Sequence, residues 1–129
     1  MLRLTSLART ALAATLLVCS LPSVYGQTWP SRPIKLIVPF PPGGLIDIMA
    51  RMVAPRLAQE LGQAVVIDNK PGAGGNLGAA EAARATPDGY TLLMASAPLT
   101  ISPALYKSLP YKPEQIAPVG LLGRVPNVL

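Results

Sequence analysis

The chain of 129 residues is long enough for one ordinary domain and too short for two. It contains no histidine and one cysteine, Cys19, so the residues beyond the N-terminal region offer neither a Cys/His metal site nor nucleophile–histidine catalysis. The net charge of +5 comes from scattered basic residues with few aromatic neighbours, which argues against a nucleic-acid surface.

The first 26 residues have the organisation of a secretory signal peptide. Arg3 and Arg9 form the basic region, residues 7–18 form the apolar core, and Val24-Tyr25-Gly26 offers a cleavage site. The apolar run is too short and wrongly flanked for a membrane span. We therefore expect a secreted protein with no direct membrane insertion, whose mature chain is residues 27–129.

The first predicted unit is a strand, a glycine-rich turn and a helix. Residues 34–38 are apolar and predict a buried strand, which the prolines of Pro39-Phe40-Pro41-Pro42-Gly43-Gly44 must end. Gly43 and Gly44 leave backbone N–H groups uncovered at the positive end of the next helix. The same residues also suit a tight turn with no ligand, so both interpretations stand at this point.

The helix that follows is predicted over residues 47–61, with Gly62 suited to its C-terminal cap. Helical spacing places one apolar set on a single face: Met49, Met52, Val53, Leu57 and Leu61. Asp47, near the helix N-terminus, is expected to accept backbone N–H groups and to favour the helix dipole. A general-base role for Asp47 is the alternative.

The same order of elements then recurs along the chain. Residues 65–67 predict a second strand, which ends in the glycine-rich loop 68–76 and leads to a helix over 77–85. Residues 91–95 predict a third strand, followed by a loop over 96–100. A fourth strand is predicted over residues 116–122.

Strands that alternate with helices predict an α/β fold, a Rossmann-like parallel sheet with helices on both faces. If the first strand pairs with the second, we expect the third strand on the other side of the first. A crevice then opens between the loops 39–45 and 96–100, where ligands of open α/β sheets bind.

The loops invite comparison with three kinds of site: a nucleotide site, an enzyme's active site and a binding protein's ligand site. A dinucleotide loop would need glycine at position 77, where Leu77 stands, and no P-loop Lys-Ser/Thr follows either glycine loop. For an enzyme, the chain lacks a visible acid–base pair. We therefore expect no catalytic residue, and we also expect no metal and no cofactor. A binding protein needs only oriented donors, and two glycine loops at one sheet edge hold a carboxylate through backbone N–H groups and waters.

Three motifs together resemble those of the Bug family, the periplasmic receptors of tripartite tricarboxylate transporters. The first is the proline–glycine loop with Asp47, Ala50 and Arg51, and the second is Asn69-Lys70-Pro71-Gly72-Ala73-Gly74-Gly75-Asn76. The third is Pro87-Asp88-Gly89-Tyr90-Thr91-Leu92-Leu93. The resemblance covers the chain from Trp29 onward.

The resemblance implies a Venus flytrap of two lobes that closes on a small carboxylate, held largely by main-chain groups and waters. The implied ligands are tricarboxylates, dicarboxylates or acidic amino acids, and the implied partners are the transporter's membrane subunits. Together the loops and the resemblance give these candidate ligand-binding residues: Pro42, Gly43, Gly44, Leu45, Asp47, Gly74, Gly75 and Ser96.

Two departures from the family pattern affect the expected function. Leu45 and Ile46 stand where the family commonly has small or hydroxylated residues, which narrows the expected cleft. Family members are also much longer, so residues 27–129 are expected to be the first part of lobe 1, without the second lobe, and to bind ligand poorly. The alternative is a small secreted domain that oligomerises or binds a protein partner, or a non-functional fragment with no ligand binding.

Overall fold

The structure, a computed structural model, describes residues 28–124, and the predicted signal peptide lies outside this range. The regular elements are β1 Ile34–Val38, α1 Leu45–Leu61, β2 Val65–Asn69, α2 Asn76–Arg84, β3 Thr91–Leu93 and α3 Ala97–Leu105. Short 3-10 segments span Ala73–Gly75 and Pro113–Gln115.

The three strands form one parallel sheet in the order β2-β1-β3. Leu36 of β1 lies opposite Ile67 of β2 and opposite Leu92 of β3. Ile34 and Ile37 of the central strand have no exposed surface, because a central parallel strand is covered on both faces. The sheet confirms the predicted α/β fold and the predicted strand order.

Helices cover both faces of this sheet. On one face Ala50 and Ala54 of α1 pack against Leu36 and Val38 of β1. On the other face α2 contributes Ala79 and Ala80 to a second core cluster, which includes Tyr111 and is joined by Leu93 of β3. The helices therefore sit with their small residues against the sheet, which fixes where their N-terminal ends meet the loops.

Helix α1 begins at Leu45, two residues before the predicted start, and ends at Gly62 in the left-handed conformation, as predicted. Its predicted apolar face is partly wrong, since the side chain of Met52 is 71% exposed. Ala50 and Ala54 face the sheet instead. Alanine is small, so it lets the helix backbone approach the strands closely. A prediction from apolar spacing alone favours the larger methionine as the buried residue, which is why it chose the wrong side chain here.

Two further predictions are wrong. The expected loop 96–100 is largely helical, because α3 begins at Ala97 with a proline in its first turn, where a missing N–H costs no hydrogen bond. The expected fourth strand over 116–122 has no regular structure, and Val119 within it is 87% exposed. Within residues 28–124, the sheet pairs this segment with no strand.

Candidate functional site

A shallow cleft opens at the carboxyl edge of the sheet, where the chain leaves all three strands. Its volume, counted out to its open mouth, is about 230 Å³, and it has room for roughly one water molecule. The lining residues are Pro39, Phe40, Gly74, Gly75, Asn76, Ala79, Leu93, Ala95, Ser96, Pro98, Leu99 and Tyr111. The predicted crevice lay between the loops after β1 and β3, and the loop after β2 also lines the cleft.

The loop after β1 delivers uncommitted backbone donors to the start of α1. Gly44 is the N-terminal cap, in an extended conformation with φ −75° and ψ 165°, and Ile48 N–H makes the first helical bond to its carbonyl at 2.9 Å. The N–H groups of Leu45 and Ile46 lie in the first turn, where a helix supplies no acceptor. No acceptor among the described residues takes either group. These two groups are therefore free to bind an anion.

The glycine N–H groups of this loop are already committed. Gly43 N–H donates to Asp47 Oδ2 at 2.8 Å, and Gly44 N–H points at the Pro41 carbonyl at 3.4 Å. Pro42, Gly43, Gly44 and Leu45 are exposed at the tip of the loop and do not line the cleft itself. The donors that the sequence placed on the glycines therefore lie one to two residues further along the chain.

Asp47 lies beneath the loop with only 2% of its surface exposed. Its Oδ2 also accepts Arg51 Nε–H at 2.8 Å, and its Oδ1 accepts Asn69 Nδ2–H at 2.9 Å. The bond from Arg51, then those from Gly43 and Asn69, hold the pKa of the Asp47 carboxyl well below its usual range. Asp47 is thus an ionised internal acceptor whose two oxygens are both occupied.

The loop after β2 packs directly on the loop after β1. Gly75 has φ +95°, and a Cβ there would lie 3.5 Å from the Phe40 ring. A Cβ on Gly78, in the first turns of α2, would lie 2.8 Å from Pro39 Cβ and 3.1 Å from the Lys70 carbonyl oxygen. Glycine at position 78 is therefore required for close approach, and it fixes the distance between the two loops.

Ser96 brings the loop after β3 into the same cleft. It is the N-terminal cap of α3, with φ −145°, and its hydroxyl makes no cap hydrogen bond. Its carbonyl accepts Leu99 N–H at 3.0 Å. Ser96 thus shares the cleft with Gly74 and Gly75, so the structure brings together three of the predicted site residues from two separate loops.

Sequence reasoning singled out three of the twelve lining residues and missed the other nine, among them Phe40, Asn76 and Tyr111. Tyr111 O–H donates to Asn76 Oδ1 at 3.1 Å, and burial raises the pKa of the Tyr111 phenol. Asn76 could have been found, since it ends the second glycine loop and begins α2. Tyr111 lies 35 residues further along in an irregular segment, and no local pattern marks it.

The described residues include no group of three or more histidine, cysteine, aspartate or glutamate side chains placed to hold a metal ion. Across residues 28–124, none of the helices combines the length and the apolar character needed to span a bilayer.

The fold is that of periplasmic binding proteins: a parallel sheet whose loops present backbone donors at its carboxyl edge. Solved structures support this assignment. BugD, a periplasmic binding protein, superposes with a TM-score of 0.64 and 45% identity, over 66% of this chain and 28% of BugD. MatC from Rhodopseudomonas palustris with bound malate superposes with a TM-score of 0.58 and 38% identity, over 67% of this chain and 30% of MatC.

The sequence matches agree with the structural ones. The BugT protein of Bordetella pertussis is 50% identical over 109 residues, which are 82% of this chain and 33% of BugT. The family model for the tripartite tricarboxylate transporter family receptor matches residues 49–129. The chain belongs to this receptor family, which confirms the resemblance to the Bug proteins, and it spans about a third of the length of these relatives.

Proposed function

We propose that this protein is a periplasmic solute-binding protein that captures a small carboxylate and delivers it to the membrane subunits of a tripartite tricarboxylate transporter. The observation that carries the proposal is the pair of uncommitted N–H groups of Leu45 and Ile46, beside the glycine loops of a chain from this receptor family. BugD is a periplasmic binding protein, and the MatC structure contains malate. The proposed ligand is a tricarboxylate, a dicarboxylate or an acidic amino acid.

Recognition in this proposal depends on neutral donors. The residues that line the cleft include no lysine or arginine among them. Two first-turn N–H groups at the positive end of α1 bind a carboxylate through its charge, and the Ser96 hydroxyl or a bridging water reaches a second polar group of the ligand. Since the mechanism is capture and release, we propose no bond-making step and no enzymatic activity.

The described residues form one wall of a ligand site, since the cleft is shallow and holds about one water. A single wall leaves the carboxylate hydrated on its far side, where water competes with every hydrogen bond. We therefore propose that this chain alone binds its ligand weakly. Tight capture requires a second wall that closes over the ligand.

Titration of the purified chain with malate, adipate and citrate, followed by amide NMR, tests the proposal. Dimethyl malate is the matched control because it keeps the carbon skeleton and lacks the charges. We expect saturable shifts of the Leu45, Ile46 and Ser96 amides with at least one acid and none with the ester. Shifts that are equal for acid and ester, or that spread over the surface without saturation, would contradict carboxylate capture.

A second candidate function is a secreted domain that associates with a protein partner or with itself. The observation that favours it is exposed apolar surface near the end of the described residues, where Val119 and Leu121 are 87% and 73% exposed. Sedimentation velocity across a wide range of protein concentration separates the two functions. A sedimentation coefficient that rises with concentration, in a protein that gives no carboxylate-specific shifts, would support this second function.

A further inference from the structure

Three polar side chains tie the two glycine loops together: Asp47, Arg51 and Asn69, hereafter the loop clamp. We propose that the loop clamp positions the backbone donors of the first loop for a carboxylate, and that Asp47 acts through the loop without touching the ligand. The proposal rests on the proposed function, because it names the residues that prepare the same site.

The bonds of Asp47 require a carboxylate at this position. Oδ2 accepts N–H groups from Gly43 and Arg51, both at 2.8 Å, while Oδ1 accepts the Asn69 amide at 2.9 Å. An asparagine in its place would offer one acceptor oxygen and would turn an NH₂ group toward a donor. The bond from Gly43 N–H fixes the peptide between Pro42 and Gly43, so it constrains the direction in which the loop enters α1.

Asn69 extends the clamp to the second loop. Its amide donates both to Asp47 Oδ1 and to the Phe40 carbonyl at 3.1 Å, and Phe40 is part of the cleft wall. Asn69 is also the last residue of β2, directly before the loop that carries Gly74 and Gly75. One side chain therefore holds the end of β2 against the backbone of the first loop.

Arg51 neutralises the charge of Asp47, which would otherwise repel an anionic ligand. An anion bound to the Leu45 and Ile46 N–H groups would lie within about one helical turn of the Asp47 carboxylate, which would repel it. Arg51 donates to that carboxylate from four residues along α1, and its side chain remains 54% exposed. The pair has no net charge, so the positive end of the helix dipole still favours an anion.

The decisive measurement is the hydrogen-exchange rate of the Gly43 amide in the ligand-free protein, compared with malate affinity in the same variants. Asp47→Asn is expected to speed Gly43 exchange about tenfold or more, as expected for a lost hydrogen bond to a charged group, and to weaken malate binding several-fold. Amides of β1 should keep their rates. Glu60→Gln, which removes an exposed acid from the same helix, should change neither quantity.

Asn69→Ala gives an independent test should Asp47→Asn fail to fold. It should also speed Gly43 exchange and weaken malate binding, whereas Arg51→Lys should bind malate more tightly than Arg51→Met, because lysine keeps the neutralising charge. Unchanged Gly43 exchange in both Asp47→Asn and Asn69→Ala would overturn the clamp. Faster Gly43 exchange with unchanged malate affinity would overturn the positioning role of the loop clamp. A wild-type protein that binds no carboxylate would refute the proposed function, and the exchange rates would still test whether the loop clamp holds the Gly43 amide.

Discussion

Substitution of Leu45 by proline removes one of the two backbone donors proposed to bind the carboxylate. Leu45 is the first residue of α1, the position where proline is best tolerated because its φ suits a helix and its N–H has no partner there. Gly44 is extended, at ψ 165°, which is the conformation that a following proline requires. The Leu45 side chain is 56% exposed, so little packing is lost.

The expected magnitude follows from the single missing bond. A hydrogen bond to a charged group contributes about 1.5–3 kcal/mol, so Leu45→Pro should weaken carboxylate binding roughly 10- to 150-fold. The free energy of unfolding should change by less than about 0.5 kcal/mol, as for most exposed substitutions. Leu45→Ala is the matched control, because it removes the side chain and keeps the N–H group; its affinity should stay close to that of the wild type.

The assay is titration of each variant with malate, adipate and citrate, monitored by amide NMR, with urea unfolding of the same samples. If Leu45→Pro binds the carboxylate as tightly as Leu45→Ala while both remain folded, the first-turn N–H groups are not the donors. The ligand would then have to be held by other groups, such as those that line the cleft, and the reasoning from uncommitted donors would be wrong.

Gly78→Ala should lower the free energy of unfolding in urea by roughly 1–3 kcal/mol, because the new Cβ would lie 2.8 Å from Pro39 Cβ in the first loop. Gly120→Ala is the control: a Cβ there has no atom within 4 Å, so the free energy of unfolding should change by less than about 0.5 kcal/mol. Tyr111→Phe should lower the free energy of unfolding by about 1 kcal/mol, because it removes the hydrogen bond to the buried Asn76 amide oxygen. Equal stability of the variant and the wild type would refute that bond. In the unfolded chain Asp47 takes up a proton near its ordinary pKa of about 3.9, whereas in the folded protein it does so only at lower pH. The free energy of unfolding of the wild type should therefore decrease as the pH is lowered below about 4, and it should decrease less steeply in Asp47→Asn. N-terminal sequencing of the exported protein should begin at Gln27, and a retained leader would contradict the predicted cleavage.

The organisation of the fold could be predicted from local patterns. The apolar run of β1 between two prolines, the stop at Gly62 and the two glycine loops each depend on backbone rules that act over a few residues. Alternation of strands and helices then limits the topology to a parallel sheet with the first strand at its centre. These rules place the loops at one edge of the sheet, so they also indicate where a ligand would bind.

Only the tertiary structure decides which groups at that edge remain available. The sequence marks Gly43 as an anion donor, yet its N–H is taken by Asp47, whose geometry depends on Asn69 from another strand. Tyr111 reaches Asn76 across 35 residues, and Ala50 rather than Met52 faces the sheet. The physical reason is that propensity and periodicity are properties of one segment, whereas the pairing of a donor with an acceptor depends on which segments the fold brings within about 3 Å.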